Sequence, residues 1–474
     1  MRLLLVMPAG GQTHSNVTPD RYKDLNIGLY PPLGLMYVAA YVQKYASHDV
    51  QILDMDAEGV GYAGLGAEIK KRQPDIVGIY MTSFTVYDSY RVAQETKKVD
   101  SQIAVVMGGP HVDIYTEETL DLPCVDYLVL GEGEITVTEL LNALEKASNL
   151  SSVSSIAYKN GGQRIITPRR PLHHSLDGLP FPARRLVPYR RYYSLIGTGN
   201  VSTTMMATRG CPSGCNFCYV QYGRTFRARG AKNVVDELEE CVGMGINEFF
   251  FFDENFTLNK KNVLAICDEI INRKLKICFD VRSRVNTVDE NLLLRLKKAG
   301  CERIQFGVES GTQEILKAMN KNINLEEVRK AFKLAKEAGI ATYADFMIGY
   351  PGESLEQIMK TIEFAVELDP EFVQYGITSL FPRTKIYYEA LEKGALKEDP
   401  WKQAARNPVR DFLPPLASDN LSREELERMQ RFAYRKFYIR PSYVFRRLMK
   451  VNSLSQLLRQ AQAGFSIFTE TRGV

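Results

Sequence analysis

No run of about 18 uninterrupted apolar residues occurs in the 474-residue chain, which excludes an ordinary membrane-spanning helix from the reading. The opening Met1-Arg-Leu-Leu-Leu-Val-Met-Pro8 is too short for a signal peptide and has no cleavage region, so a cytoplasmic location is expected. Charge of one sign is scarce as well. Sixty Lys and Arg against 56 Asp and Glu leave a net charge of +4, which gives no reason to expect a nucleic-acid partner. Eight cysteines are too few for a disulfide scaffold in so long a chain. Five of them (Cys124, Cys241, Cys267, Cys278 and Cys301) lie singly in apolar or periodic surroundings and read as small core residues. Repeats and low-complexity tracts are also missing. What remains is a globular composition, 45% hydrophobic and 24% charged, long enough for two or three packed domains.

The first 150 residues alternate short apolar runs with amphipathic ones. Runs at 3–7, 50–54, 76–80, 103–107 and 127–130 read as strands; 32–45, 62–72, 87–98 and a segment from Thr136 read as helices. This alternation predicts an α/β fold, a doubly wound, Rossmann-like parallel sheet with helices on both faces. Ligands of such sheets sit at the carboxyl ends of the strands, here the loops 8–11, 54–59, 81–85, 108–111 and 131–134. Residues 151–200 break the pattern, with a hairpin turn at Lys159-Asn-Gly-Gly162 and an extended connector at Leu179-Pro-Phe-Pro182, and read as a linker. Residues 201–390 resume the alternation and suit a partial βα barrel, TIM-like, with its active site at the carboxyl ends of its strands. Residues 391–474 read as a helical C-terminal extension, basic and aromatic.

The other three cysteines share one loop after a strand, Cys211-Pro-Ser-Gly-Cys215-Asn-Phe-Cys218. Three thiolates so close suit a cubane bound through three of its four irons, leaving the fourth open. A structural zinc site would want a fourth Cys or His at defined spacing, whereas His111, His173 and His174 lie in other segments. A purely electron-transferring cluster would prefer four thiolates. Zinc and electron transfer stay open as alternatives.

The Cys-x-x-x-Cys-x-aromatic-Cys pattern resembles the signature of the radical S-adenosylmethionine superfamily, and matching segments extend from Met206 to about Glu353. The resemblance implies a 4Fe–4S cluster on Cys211, Cys215 and Cys218, with S-adenosylmethionine chelating the open iron and cleaved reductively to a 5′-deoxyadenosyl radical. It places Phe217 beside adenine. Asp253 and Glu254, where relatives carry a Gly-Gly-Glu or an acidic variant, would receive the methionyl amine. Arg282 and Glu309 would hold carboxylate and ribose, with surface ion pairs as the competing reading, and Gly349 in Met347-Ile-Gly-Tyr-Pro-Gly-Glu353 would lie along adenine. Tyr219, Tyr222 and Arg224, just past the cluster loop, are candidates for the substrate cavity. A low-potential donor such as flavodoxin or ferredoxin is implied as partner.

The first 147 residues resemble the cobalamin-binding domain found upstream of many such enzymes, through Pro31-Pro-Leu-Gly-Leu35, Gly108-Gly-Pro-His111 and Gly131-Glu-Gly-Glu134. Small residues would let the backbone approach a corrin closely, and the Gly-x-Gly-x-x-Gly of a nicotinamide site is missing. Asp54, Asp56, Thr82, Ser83, Gly108, Gly109, Gly131 and Glu132 are the implied cobalamin residues. Relatives that ligate cobalt from below use Asp-x-His-x-x-Gly, but this chain reads Asp54-Met-Asp56-Ala-Glu-Gly59, so that ligand is absent unless His111 serves instead. A cobalt lacking that ligand would favour methyl transfer to a substrate radical, making the chain a cobalamin-dependent C-methyltransferase. The C-terminal stretch resembles the subgroup of anaerobic magnesium-protoporphyrin IX monomethyl ester cyclase and hopanoid methylases. It implies a large apolar or anionic small-molecule substrate, lipid or tetrapyrrole, or a peripheral membrane contact; an ordinary solvated helical face is the competing reading. Cyclisation or rearrangement without methyl transfer, and a cobalamin-binding redox sensor, are the other open functions.

Overall fold

The computed structural model describes residues 1–10, 28–194, 197 and 201–449. The chain forms two compact units. One comprises Met1–Cys211, Val220–Phe250 and Leu391–Pro414; the other comprises Pro212–Tyr219, Phe251–Ala390 and the chain from Pro415.

In the first unit, β1 (Arg2–Met7), β2 (Asp49–Asp54), β3 (Ile76–Tyr80), β4 (Ala104–Gly108) and β5 (Tyr127–Val129) run parallel in the order β2-β1-β3-β4-β5. Their continuous apolar runs reflect burial on both faces, one core forming around Leu3, Leu5 and Met36 and the other around Leu4, Val6 and Val77. The hairpin in the expected linker is β6 (Ile156–Asn160) and β7 (Gln163–Ile166), turning on Gly161 and Gly162 in left-handed conformation. It joins the same sheet as two further strands, antiparallel, so this part of 151–200 extends the first sheet. The segment Leu391–Pro414 also belongs to this unit: Asp399 accepts from Tyr115 Oη at 3.0 Å and the buried Trp401 meets Phe84 edge-on at 6.2 Å.

The second sheet has the order β8-β11-β12-β13-β14-β15, made of β8 (Ser202–Met205), β11 (Glu248–Phe251), β12 (Cys278–Ser283), β13 (Cys301–Glu309), β14 (Ala341–Ile348) and β15 (Phe372–Ile377). The short pair β9 (Thr208–Arg209) and β10 (Arg227–Ala228) is a separate antiparallel ribbon. From β12 to β15 the pairing is parallel, with a helix between each strand and the next, the pattern of a partial βα barrel. Capping boxes start the helices Leu325–Glu337 (Asn324 with Glu327) and Leu355–Leu368 (Ser354 with Gln357).

The basic and aromatic C-terminal helix, Arg423–Tyr438, covers the edge of β15. Tyr438 Oη donates to Val373 O and accepts from Val373 N, both at 2.9 Å; Tyr434 Oη accepts from Tyr375 N at 3.2 Å, and Gln430 donates to Tyr375 O at 2.6 Å. Side chains thereby satisfy the backbone of an edge strand that would otherwise invite pairing with another chain. Arg440 and Arg446 both bind Asp369. Phe445 and Met449, in the helix Pro441–Met449, remain exposed, and residues 450–474 of the expected helical extension lie outside the described residues. Among the described residues no helix is long and apolar enough to cross a membrane.

Candidate functional site

The turn into the cysteine loop depends on Gly210, at φ +88°, where a Cβ would stand 2.2 Å from Thr225 O. None of the three loop cysteines is in a disulfide; Cys211 and Cys215 are buried and Cys218 is half-buried. A second loop, after the helix Gln313–Ala318, clasps the segment that follows. Asn216 N donates to Met319 O at 2.9 Å, Asn216 Nδ2 to Ala318 O at 2.8 Å, and Asn320 Nδ2 to Gly214 O at 2.7 Å. Asn320 and Asn322 both take left-handed backbone conformations, which their short amide side chains tolerate. Arg284 donates one Nη to Cys215 Sγ at 3.3 Å and the other to Lys321 O. Two buried thiols and a half-buried one in a single loop, with a guanidinium on one sulfur, suit thiolate ligands of a cluster. Among the described residues no three His, Cys, Asp or Glu side chains are gathered closely enough to hold a single metal ion.

Strand alternation gives the inner face of β12–β15 a polar ladder. Arg282 Nε donates to Gln305 Oε1 at 3.4 Å and Gln305 Nε2 to Asp345 Oδ2 at 2.7 Å; the Arg282 guanidinium lies 4.7 Å over the Phe252 ring. Asp345 Oδ1 is buried with no hydrogen-bond partner among the described residues. Burial, reinforced by the charge of Glu309, pushes this carboxyl up to about 7. Glu309 ends β13 at φ +74°, beside a register shift, and its carboxylate meets Lys321 Nζ at 2.6 Å with both groups buried. A non-glycine residue held in that region marks a place where surrounding structure imposes strain, a frequent property of sites. Lys321 Nζ also stands 5.9 Å from the Phe217 ring centre. Asp253 is fully buried after β11 and Glu254 half-buried beside it. Tyr219 and Tyr222 are half-buried and Arg224 is exposed; the Tyr222 ring is taken by the Arg209 guanidinium at 5.0 Å.

Gly349 adopts φ +76°, and a Cβ there would press within 2.8 Å of Leu426 in the C-terminal helix. The turn is closed by Glu353, whose Oε2 accepts from Gly349 N at 2.7 Å and Tyr350 N at 3.2 Å, while Oε1 is buried and unpartnered among the described residues. Burial pushes this carboxyl up to about 7. The folded state therefore binds the proton more tightly than the unfolded chain. Its stabilising contribution is complete below about pH 4.5 and is lost as pH rises through about 7. Glu353→Gln keeps an acceptor for both N–H groups and is expected to flatten that slope, leaving the variant more stable than the parent at pH 8 by on the order of 2 kcal/mol. Urea midpoints measured from pH 5 to 8 check this; parallel curves for the two proteins would refute it.

In the first unit the parallel strands bring the loops after β1 to β5 to one edge of the sheet. Asp54 is fully buried there, accepting from Ala57 N at 3.1 Å and Tyr192 Oη at 2.9 Å, and burial pushes it up to about 6. Asp56 accepts from Gly10 N at 2.9 Å. Thr82 N donates to Thr85 Oγ1 at 2.9 Å, and Ser83 Oγ meets His111 Nδ1 at 3.1 Å. His111 is buried, its Nε2 unpartnered among the described residues, and burial pushes its pKa down to about 3, so it stays neutral. Gly109 follows Gly108 at the end of β4, where a Cβ would come within 2.5 Å of Met81 O. Gly131 and Gly59, both left-handed, have open space where a Cβ would be, which suits close approach of a large planar ligand to backbone. Glu132 is bound by Arg209 at 2.8 Å, Arg227 at 2.9 Å and His173 N at 2.9 Å. Although burial alone would raise its pKa, the hydrogen bond from Arg227 and the charge of Arg209 hold it at about 2. Glu134 takes the other arm of Arg209 at 2.6 Å. The Gly131-Glu-Gly-Glu134 segment thus anchors the ribbon that leads into Cys211.

Sequence reasoning missed Arg284, Lys321, Asn320, Gln305, Asp345 and Arg209. Only two left a local signal: Arg209 stands two residues before Cys211, and Arg284 two residues beyond Arg282.

The radical SAM superfamily model matches residues 205–365 and the B12 binding domain matches residues 28–141. An uncharacterized methyltransferase of Pyrococcus horikoshii is 35% identical over 450 residues, covering 94% of each chain. The anaerobic magnesium-protoporphyrin IX monomethyl ester cyclase of Rubrivivax gelatinosus is 28% identical, covering 88% of this chain and 75% of that one. Among solved structures, the radical S-adenosylmethionine methyltransferase TsrM of Kitasatospora setae, with cobalamin and a 4Fe–4S cluster bound, has the same fold, with a TM-score of 0.68 and 20% identity over 83% of this chain and 78% of that one. With a relative so similar along nearly its whole length and both domains in order, the chain belongs to the cobalamin-dependent radical S-adenosylmethionine methyltransferase family.

Proposed function

We propose that the chain methylates an unactivated carbon of a large lipid or tetrapyrrole substrate. When bound, the cluster supplies the electron that cleaves S-adenosylmethionine to a 5′-deoxyadenosyl radical, and cobalamin supplies the methyl group. The chain's own residues hold and orient. Cys211, Cys215 and Cys218 hold the cluster. Phe217, Asp253, Glu254, Arg282, Glu309 and Gly349 hold S-adenosylmethionine, with Asp345 keeping a proton available at Oδ1 near neutral pH. Thr82, Ser83, Gly108, Gly109, Gly131 and Asp56 border the corrin, while Asp54 and Glu132 act by fixing its loops. Tyr219, Tyr222 and Arg224 border the substrate.

The observation that carries methyl transfer is Asp56. Where relatives that ligate cobalt from below have histidine, this carboxylate accepts the Gly10 N–H instead, and the buried His111 is tied through Nδ1 to Ser83. A flavodoxin or ferredoxin in the cytoplasm supplies electrons, and the exposed Phe445 and Met449 favour a peripheral contact with the membrane holding an apolar substrate. Oxidative cyclisation is the second reading, favoured by the similarity to the cyclase of Rubrivivax gelatinosus.

Anaerobic reconstitution with iron, sulfide and hydroxocobalamin, followed by reduction and addition of S-adenosylmethionine with candidate lipids and tetrapyrroles, tests this. Methylation yields both deoxyadenosine, which carries off the abstracted hydrogen, and S-adenosylhomocysteine, with a product heavier by CH2, a methyl group in place of that hydrogen. Deoxyadenosine without S-adenosylhomocysteine would replace methylation by cyclisation or rearrangement.

A further inference from the structure

We propose that Arg284 is a positioning residue that raises the reduction potential of the cluster by donating to the sulfur of Cys215. Arg284 Nη1 lies 3.3 Å from Cys215 Sγ, and the sulfur belongs to a buried residue. The guanidinium is not free to swing away, because its other Nη donates to Lys321 O in the clasping loop. That loop is fixed to the cysteine segment by Asn320 on Gly214 O and by Asn216 on Met319 O. Lys321, the neighbouring cation, is already committed to Glu309 at 2.6 Å. Arg284, by contrast, directs one of its hydrogen bonds to the sulfur of Cys215.

Reduction of the cluster adds one electron from the external low-potential donor, with no bond made or broken in the protein. The added charge spreads onto the sulfurs. A cationic donor held against one of them stabilises the reduced form more than the oxidised form, and partial burial weakens solvent screening of that difference. Hydrogen bonds to ligand sulfurs are an established lever on cluster potential. Arginine suits the task because it stays charged at any working pH and offers several donors from one plane.

The inference rests on the cluster being held at Cys215, so iron and sulfide content are measured first. The midpoint potential of the reconstituted enzyme is then followed by electron paramagnetic resonance for the parent, Arg284→Met and Arg284→Gln. Both variants are expected to have a more negative midpoint than the parent at equal cluster content, with a smaller fraction reduced by the same donor. Asn320→Ala, which loosens the clasp but leaves the guanidinium, is expected to lose cluster more readily without moving the midpoint. An unchanged midpoint in a variant that keeps its cluster overturns the proposal. Loss of the cluster from both Arg284 variants also overturns it, in favour of a purely structural role.

Discussion

Alanine in place of Cys211, Cys215 or Cys218 is expected to reduce S-adenosylmethionine cleavage below detection and to remove most cluster iron, while the chain stays folded. Under the proposed function the three thiolates would be the iron ligands, with no spare to replace one lost. The segment's shape does not depend on them alone, since Asn216 and Asn320 fasten it through backbone carbonyls of the opposing loop. Iron analysis, deoxyadenosine yield and circular dichroism of each variant check this, and full retained cleavage in any one would sink the cluster assignment. Cys267→Ala is the contrast. That thiol is buried, and burial pushes its pKa up to about 12, so it stays protonated and inert; its loss should cost about 1 kcal/mol of stability and no cleavage.

The largest stability effect is expected at Glu237. This carboxylate is fully buried between Arg184 at 2.6 Å and Arg229 at 2.5 Å. Burial opposes its ionisation, but the two guanidinium charges outweigh it and hold the pKa below the usual carboxylate range. Glu237→Ala would leave two cations desolvated without their counter-charge, a situation that costs about 3–5 kcal/mol. Urea denaturation of the variant measures it; a loss under about 1 kcal/mol would mean water reaches the site and replaces the carboxylate. Because the pKa is lowered, this contribution is present above the unfolded value of 4.5 and fades as pH falls below it. Arg184 also donates to Thr204 O and Arg229 to Met206 O, so the triad fixes the strand β8 and the chain just after it.

Strand and helix positions in both sheets were legible because consecutive residues carry them. The strand expected at 76–80 and the helix expected at 62–72 form with those bounds. The helix expected from Thr136 begins earlier, at Gly133. Its first turn is polar, with Glu134 turned to Arg209, so apolar periodicity could not reveal where it starts. The hairpin at 159–162 was legible from its paired glycines, but its addition to the first sheet was not, since antiparallel pairing of β5 with β6 is a choice between distant backbones.

The sequence by itself determined what can be encoded in a few adjacent residues: three thiols at cluster spacing, the alternation that builds two α/β sheets, and an aspartate where a cobalt-ligating histidine would stand. Tertiary structure alone decided what those features lean on. Arg284 reaches Cys215 across 69 positions, Glu132 reaches Arg209 across 77, and the C-terminal tyrosines reach the edge of β15 across about 60. A side chain's partner at such a separation depends on how packed layers meet, and no local pattern carries that information. One part of the basic and aromatic C-terminal segment, the helix Arg423–Tyr438, thereby satisfies free hydrogen bonds of a sheet edge, a role that no local pattern announces.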